Sequence, residues 1–113
     1  MTLHDKDWSW FFVVGIVIVS HGVLAEAMEQ SARMFVGERE QVSCISINPG
    51  DDPDEFANRV YAAIKSVDTG DGVVALADLL GGTPFNTVSR IARENGVQVL
   101  TGVNLSMVIY SII

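Results

Sequence analysis

Four short apolar runs recur along the chain: "VVGIVIV" (13–19), "QVSCISI" (41–47), "GVVALA" (72–77) and "VQVL" (97–100). They are continuous more than alternating, the pattern of strands covered on both faces. Between them the apolar period lengthens to that of a helix. Leu24, Met28, Ala32 and Phe35 fall on one face, as do Phe56, Val60, Ile64 and Val67, and then Phe85, Val88, Ile91 and Ala92. The predicted order is β-α-β-α-β-α-β-α.

Helix ends are marked by local chemistry. Asp52, Pro53 and Glu55 read as an N-cap, a first-turn proline and a capping-box partner, and Thr83 with Pro84 reads as the cap and first turn of the third helix. Gly37 and Gly96 stand where left-handed C-caps belong. Connections of this length suit parallel pairing with right-handed crossovers. The expected fold is therefore α/β: a three-layer sandwich with an open, mainly parallel sheet and helices on both faces, with strand order 2-1-3-4 if the first and third strands are neighbours. In such sheets function gathers at the carboxyl ends of the strands, near the switch in strand order.

Composition narrows the picture. The chain has 113 residues, the size of one domain, with no linker, repeat or low-complexity segment. Seven basic against fourteen acidic residues give a net charge of -7, and no basic cluster could release counterions from a phosphate backbone. A protein with a positive face is a better partner than nucleic acid. Cys44 is the single cysteine, so no internal disulfide forms, and it reads as a small buried hydrophobe in a strand, in keeping with a reducing cytoplasm. Trp8 to Val19 is almost wholly apolar, yet far short of the roughly 20 residues of a spanning helix. It lacks a basic leader and a small-residue cleavage site. Residues 1–12 read as a loosely held N-terminal extension, with His4 partnerless in it, and Val13 to Val19 as a buried strand.

Two loops carry the chemistry. The first strand ends in "SHG" and the third in "ADLLGGTPFN". In a 2-1-3-4 order these strands are neighbours, which brings His21 and Asp78 to one sheet edge. A carboxylate holding one imidazole N–H fixes the tautomer, orients the ring and stabilises a cation formed on it, leaving the other nitrogen free to attack phosphorus. Gly81 and Gly82 precede a capped helix start, so backbone N–H groups and the positive end of the helix dipole can face an anion. Thr83 offers a hydroxyl, and Gly22 leaves the histidine side open. No P-loop, GxGxxG motif or metal-ligand cluster is present, so neither a cofactor nor a metal is expected. Taken singly, each residue has a plainer reading, as a structural histidine, a turn aspartate or an ordinary helix start. Their shared position at one edge favours a joint role.

"GIVIVSHGVLAEAM", "NPGDDPDEF", "ADLLGGTPFN" and "LTGVNLSM", in this order, resemble the enzyme IIA domain of the mannose family of the bacterial phosphoenolpyruvate-dependent sugar phosphotransferase system. The resemblance runs from about Val13 to the last residue. It implies a cytoplasmic phosphotransferase component at the membrane permease: His21 accepts a phosphoryl group from HPr, through Nε2, and passes it to a histidine of a IIB domain, which serves the IIC/IID permease in sugar import. It further implies that Asp78 orients His21, that Gly22, Gly81, Gly82 and Thr83 lie at the phosphoryl group, and that the protein is a homodimer. Family members continue beyond the helix that begins near Leu105 into a strand exchanged between subunits. The expected organisation is thus a 1–12 extension and a 13–113 IIA domain shortened at its C-terminus.

Other classes fit less well. A response-regulator receiver would be phosphorylated on Asp78, but it needs acidic metal ligands after the first strand, where Ser20 and His21 stand. A flavodoxin-like module needs a hydroxyl-rich phosphate loop at that point. The phosphotransfer subunit of a dihydroxyacetone kinase shares the histidine but should lack "GGTPFN". In a Ser-His-Asp hydrolase, adjacent Ser20 and His21 would point their side chains apart. The sequence does not name the sugar.

Overall fold

A computed structural model describes residues 13–113; the expected N-terminal extension and His4 lie outside the described residues. Strands β1 (Gly15–His21), β2 (Val42–Ile47), β3 (Val73–Ala77) and β4 (Gln98–Leu100) alternate with helices α1 (Leu24–Val36), α2 (Pro53–Val67), α3 (Thr83–Asn95) and α4 (Leu105–Ile112). All three strand pairings are parallel, in the order β2-β1-β3-β4 expected from the sequence.

Alternation along β1 divides the core. Val17 and Val19 join Phe56, Val60, Ile64 and Val67 of α2 with Val88 and Ile91 of α3. Ile16 and Ile18 face the other way, against Ala25 and Ala32 of α1 and Val108 of α4. Every residue from Gly15 to Ser20 is buried, which is why the central strand reads as an uninterrupted apolar run.

Several boundaries differ from the sequence reading for identifiable reasons. β1 begins at Gly15, because the backbone of Val13 is occupied by the loop after α2: its N–H donates to Asp71 Oδ2 at 2.8 Å and its carbonyl accepts from Thr69 Oγ1 at 2.7 Å. The strand then runs on to His21 itself. Phe35, expected on the core face of α1, is 69% exposed. The contact stripe runs instead through Ala25, Met28 and Ala32 to half-buried Val36, the two fully buried alanines letting the helix sit close to the sheet.

Thr83 is not the cap of α3. Gly82 takes that place in an extended conformation, with Thr83 and Pro84 opening the helix. The expected cap of α2 does form, with Asp54 N–H donating to Asp52 Oδ1 at 3.1 Å. Gly96 closes α3 in the left-handed conformation, whereas Gly37 closes α1 with φ 76° and an extended ψ of −174°. At the β2 edge Arg59 reaches across from α2, stacks over Phe56 at 5.6 Å and donates to the Ser46 carbonyl at 3.1 Å.

The close approach of β1 and α2 can be tested. A Cβ at Gly15 would strike the carbonyl oxygen of Val67 and lie 2.7 Å from its Cγ2. Gly15→Ala should therefore destabilise the fold by about 1–3 kcal/mol through overpacking, read as a lower midpoint in urea with an unchanged slope. A wild-type midpoint would mean that α2 yields freely at its last turn.

Candidate functional site

β1 and β3 are paired in register from Gly15↔Val73 to Val19↔Ala77, so their next residues arrive together at the carboxyl edge of the sheet. There His21 and Asp78, 57 positions apart, meet. Asp78 Oδ2 accepts the main-chain N–H of His21 at 2.9 Å and lies 2.8 Å from its ring Nδ1. The other carboxylate oxygen accepts the Leu79 N–H at 2.9 Å. The imidazole is 49% exposed but the carboxylate only 7%. The partner that fixes the ring is thus sheltered, and the ring itself faces outward.

Burial pushes the Asp78 carboxyl up, but the backbone N–H and ring of His21, with help from the Leu79 N–H, more than offset it and hold the group below the ordinary carboxylate range. Asp78 is accordingly ionised at neutral pH and can only accept hydrogen bonds. In the neutral imidazole Nδ1 must then carry the proton, which leaves the Nε2 lone pair free. Such an arrangement yields a positioned nucleophile whose cationic product would stand beside a fixed negative charge.

The second loop closes on that nitrogen. A Cβ placed on Gly82 would lie 2.9 Å from His21 Cε1 and 3.5 Å from Nε2, so the absent side chain is what lets this backbone approach the ring. Gly81, at φ 83°, makes the turn that brings Gly82 there. Its carbonyl accepts from Asn86 Nδ2 at 3.1 Å, and Asn86 N–H donates to the Gly82 carbonyl at 2.9 Å. Thr83 follows as an exposed first helical residue. On the other side Gly22, at φ 59°, turns the chain from β1 into α1. Two helices therefore begin within three residues of a site residue, and their free N–H groups suit an anion placed at Nε2.

Of the six residues singled out in the sequence, His21, Asp78 and Gly82 come together at the ring, while Gly22, Gly81 and Thr83 adjoin them along the two loops. Three further features were not foreseen. Asn86 anchors the Gly81–Gly82 turn, and only its place in "GGTPFN" could have signalled it. Ser20, fully buried, receives the Ala25 N–H at 2.9 Å. In the two loops that carry His21 and Asp78, Val23, Leu24, Leu79 and Leu80 are exposed, Leu80 to 76%, an apolar rim of the kind found at protein-binding surfaces.

Cys44 lies in β2 as expected, half-buried, with burial and nearby Glu29 and Glu26 pushing its thiol up to about 12. It stays protonated at neutral pH. Among the described residues no three metal-ligating side chains gather, and no helix is long and apolar enough to cross a membrane.

The chain matches the family described as "PTS system fructose IIA component" over residues 15–113. It is 37% identical over 97 residues to the mannose-specific EIIAB component of Escherichia coli, an alignment covering 85% of this chain and 30% of that protein. The fructose-specific EIIA component of Bacillus subtilis is 26% identical over 98 residues, covering 86% of this chain and 67% of that one. Among solved structures, the IIA protein associated with the fucose utilization operon of Streptococcus pneumoniae superposes with a TM-score of 0.80 at 32% identity, over 88% of this chain and 76% of that chain. The mannose/sorbose specific IIA subunit from Enterococcus faecalis does so with a TM-score of 0.80 at 29% identity, over 90% and 77%. The chain belongs to the mannose/fructose family of phosphotransferase-system IIA components.

The low carboxyl pKa sets a pH dependence. A group whose folded pKa is depressed contributes stability that is complete above its unfolded value, about 3.9, and is lost as pH falls through the folded value. The stability advantage of wild type over Asp78→Asn should thus shrink on acidification from about pH 5 toward pH 2. Urea unfolding of both proteins across that range measures it; an advantage that persists unchanged at pH 2 would mean the carboxylate is not the stabilising form.

Proposed function

We propose that this chain is a phosphoryl carrier of the sugar phosphotransferase system, with His21 Nε2 as the acceptor atom. The observation that carries the reading is the 2.8 Å contact between Nδ1 and a sheltered, ionised Asp78, which leaves Nε2 free at an exposed edge. In the forward step the P–N bond of phosphorylated HPr breaks as the Nε2–P bond forms. The reverse geometry then delivers the group to a IIB histidine that feeds the IIC/IID permease. Transfer of this kind needs positioning and charge stabilisation more than covalent help from the protein. Residues 13–113 are the carrier domain, and Gly22, Gly81, Gly82 and Thr83 surround the phosphoryl oxygens.

Two aspects of the surface support transfer between proteins. The apolar rim of Val23, Leu24, Leu79 and Leu80 gives a partner something to bury. The ring stands outward instead of at the bottom of a cleft, so a second histidine can approach in line. Asp78 as phosphoacceptor fits poorly, because its carboxylate is 93% covered and both of its oxygens already accept bonds. The cytoplasm, at the permease, is the compartment in which such a carrier works.

Intact mass after incubation with phosphoenolpyruvate, enzyme I and HPr tests the reading. Wild type should gain one acid-labile phosphoryl group; His21→Ala should gain none, and Asp78→Asn should gain it more slowly by roughly 10- to 100-fold. Labelling of folded His21→Ala would overturn the assignment. We also propose a homodimer, supported by the short edge strand β4 with exposed Leu100 and by exposed Tyr110 and Ile113 at α4. Sedimentation equilibrium should give twice the 12.2 kDa chain mass; a monomer at high protein concentration would remove the proposal.

A further inference from the structure

We infer that Ser20 is a positioning residue for transfer at His21: its buried hydroxyl straps the start of α1 to the end of β1 and thereby holds the free N–H groups of that helix start at the edge where Nε2 stands. The inference rests on the carrier reading above and adds a residue to it.

The start of α1 poses a problem that its own sequence does not solve. The first N–H groups of a helix have no intrahelical acceptor. The residue at the cap position is Val23, whose side chain offers none. The acceptor comes from outside, five residues upstream of the amide it serves: Ser20 Oγ receives the Ala25 N–H at 2.9 Å, in a fully buried position. The same hydroxyl donates, at the longer distance of 3.4 Å, to the Gly22 carbonyl. One oxygen thus spans the whole turn in which His21 sits.

The consequence lies in the freedom left to the start of α1. Asp78 fixes Nδ1 and the His21 N–H, and the Gly22 N–H donates to the Ile47 carbonyl at 2.9 Å. These bonds hold the strand side of the turn. On the helix side, the Ser20 bond ties the first turn of α1 directly to the strand. Removing it leaves the Ala25 amide buried without its acceptor, and the turn at Gly22, whose positive φ imposes little stiffness of its own, becomes the pivot. Movement there shifts the start of α1, with its free N–H groups, relative to a ring that Asp78 still holds, while no residue of the exposed rim is changed.

A role of this kind separates turnover from binding. Single-turnover transfer should be followed by rapid quench with labelled phospho-HPr, at varied donor concentration, well below the melting temperature of each variant. Ser20→Ala should lower the maximal rate roughly 10- to 100-fold while the half-saturating donor concentration stays within about twofold. Ser20→Thr, which restores a hydroxyl, should recover most of the rate. A Ser20→Ala protein that melts earlier but transfers at the wild-type maximal rate would show a purely structural cap and overturn the inference, as would Ser20→Thr no faster than Ser20→Ala. Failure of wild type itself to accept a phosphoryl group would instead reject the carrier reading.

Discussion

One carboxylate oxygen organises the carboxyl edge of this sheet. Asp78 Oδ2 receives both the main-chain N–H and the ring Nδ1 of His21, so it sets the position of the residue and the orientation of its imidazole together. A bond to the ring alone would leave the backbone free to carry the histidine away. A bond to the backbone alone would leave the ring free to turn. Because the two bonds share an acceptor that is itself nearly buried, water competes poorly for it, and the charge-assisted contact keeps more of its strength than an exposed ion pair would.

The sheet makes that double bond possible. Parallel pairing of β1 with β3 places strand ends 57 positions apart in sequence at the same height, and crossover helices on both faces keep the pair buried up to its last residues. The same topology sends α1 and α3 away from the edge with their N-termini left beside the ring. Glycine then decides how near the second loop comes: any side chain at position 82 would collide with the imidazole. Position, charge and access at Nε2 are thus consequences of register, burial and one missing Cβ.

Much of this was legible in the sequence. The order of strands and helices along the chain and the two-sided core follow from the run lengths and the helical periods, whereas the meeting of His21 with Asp78 depends on the added expectation that β1 and β3 are neighbours. What escaped notice were features that depend on three-dimensional exchange of hydrogen bonds. Val13 was assigned to the strand because it is apolar, yet loop side chains had taken its backbone groups. Thr83 was assigned as a cap because threonine usually is one, yet Gly82 occupies the position once the ring of His21 stands beside it. Phe35 followed the helical period, but the alanines of α1 directed the contact stripe to Val36. Ser20 was invisible as a cap because it lies inside a strand, outside the window in which caps are sought.

The exposed rim completes the physical logic of the site. A small-molecule catalyst encloses its substrate, with most of the ligand surface buried in a concave pocket. Here the imidazole is half-exposed, in loops that also expose Val23, Leu24, Leu79 and Leu80, so no wall excludes water from it. An incoming protein can supply that wall. Docking against the rim removes water from around Nε2, and the electrostatic contributions of Asp78 and the two helix starts rise as the local dielectric falls. The site would therefore be strongest while a partner is bound and weakest once it leaves, the condition that the proposed carrier role requires.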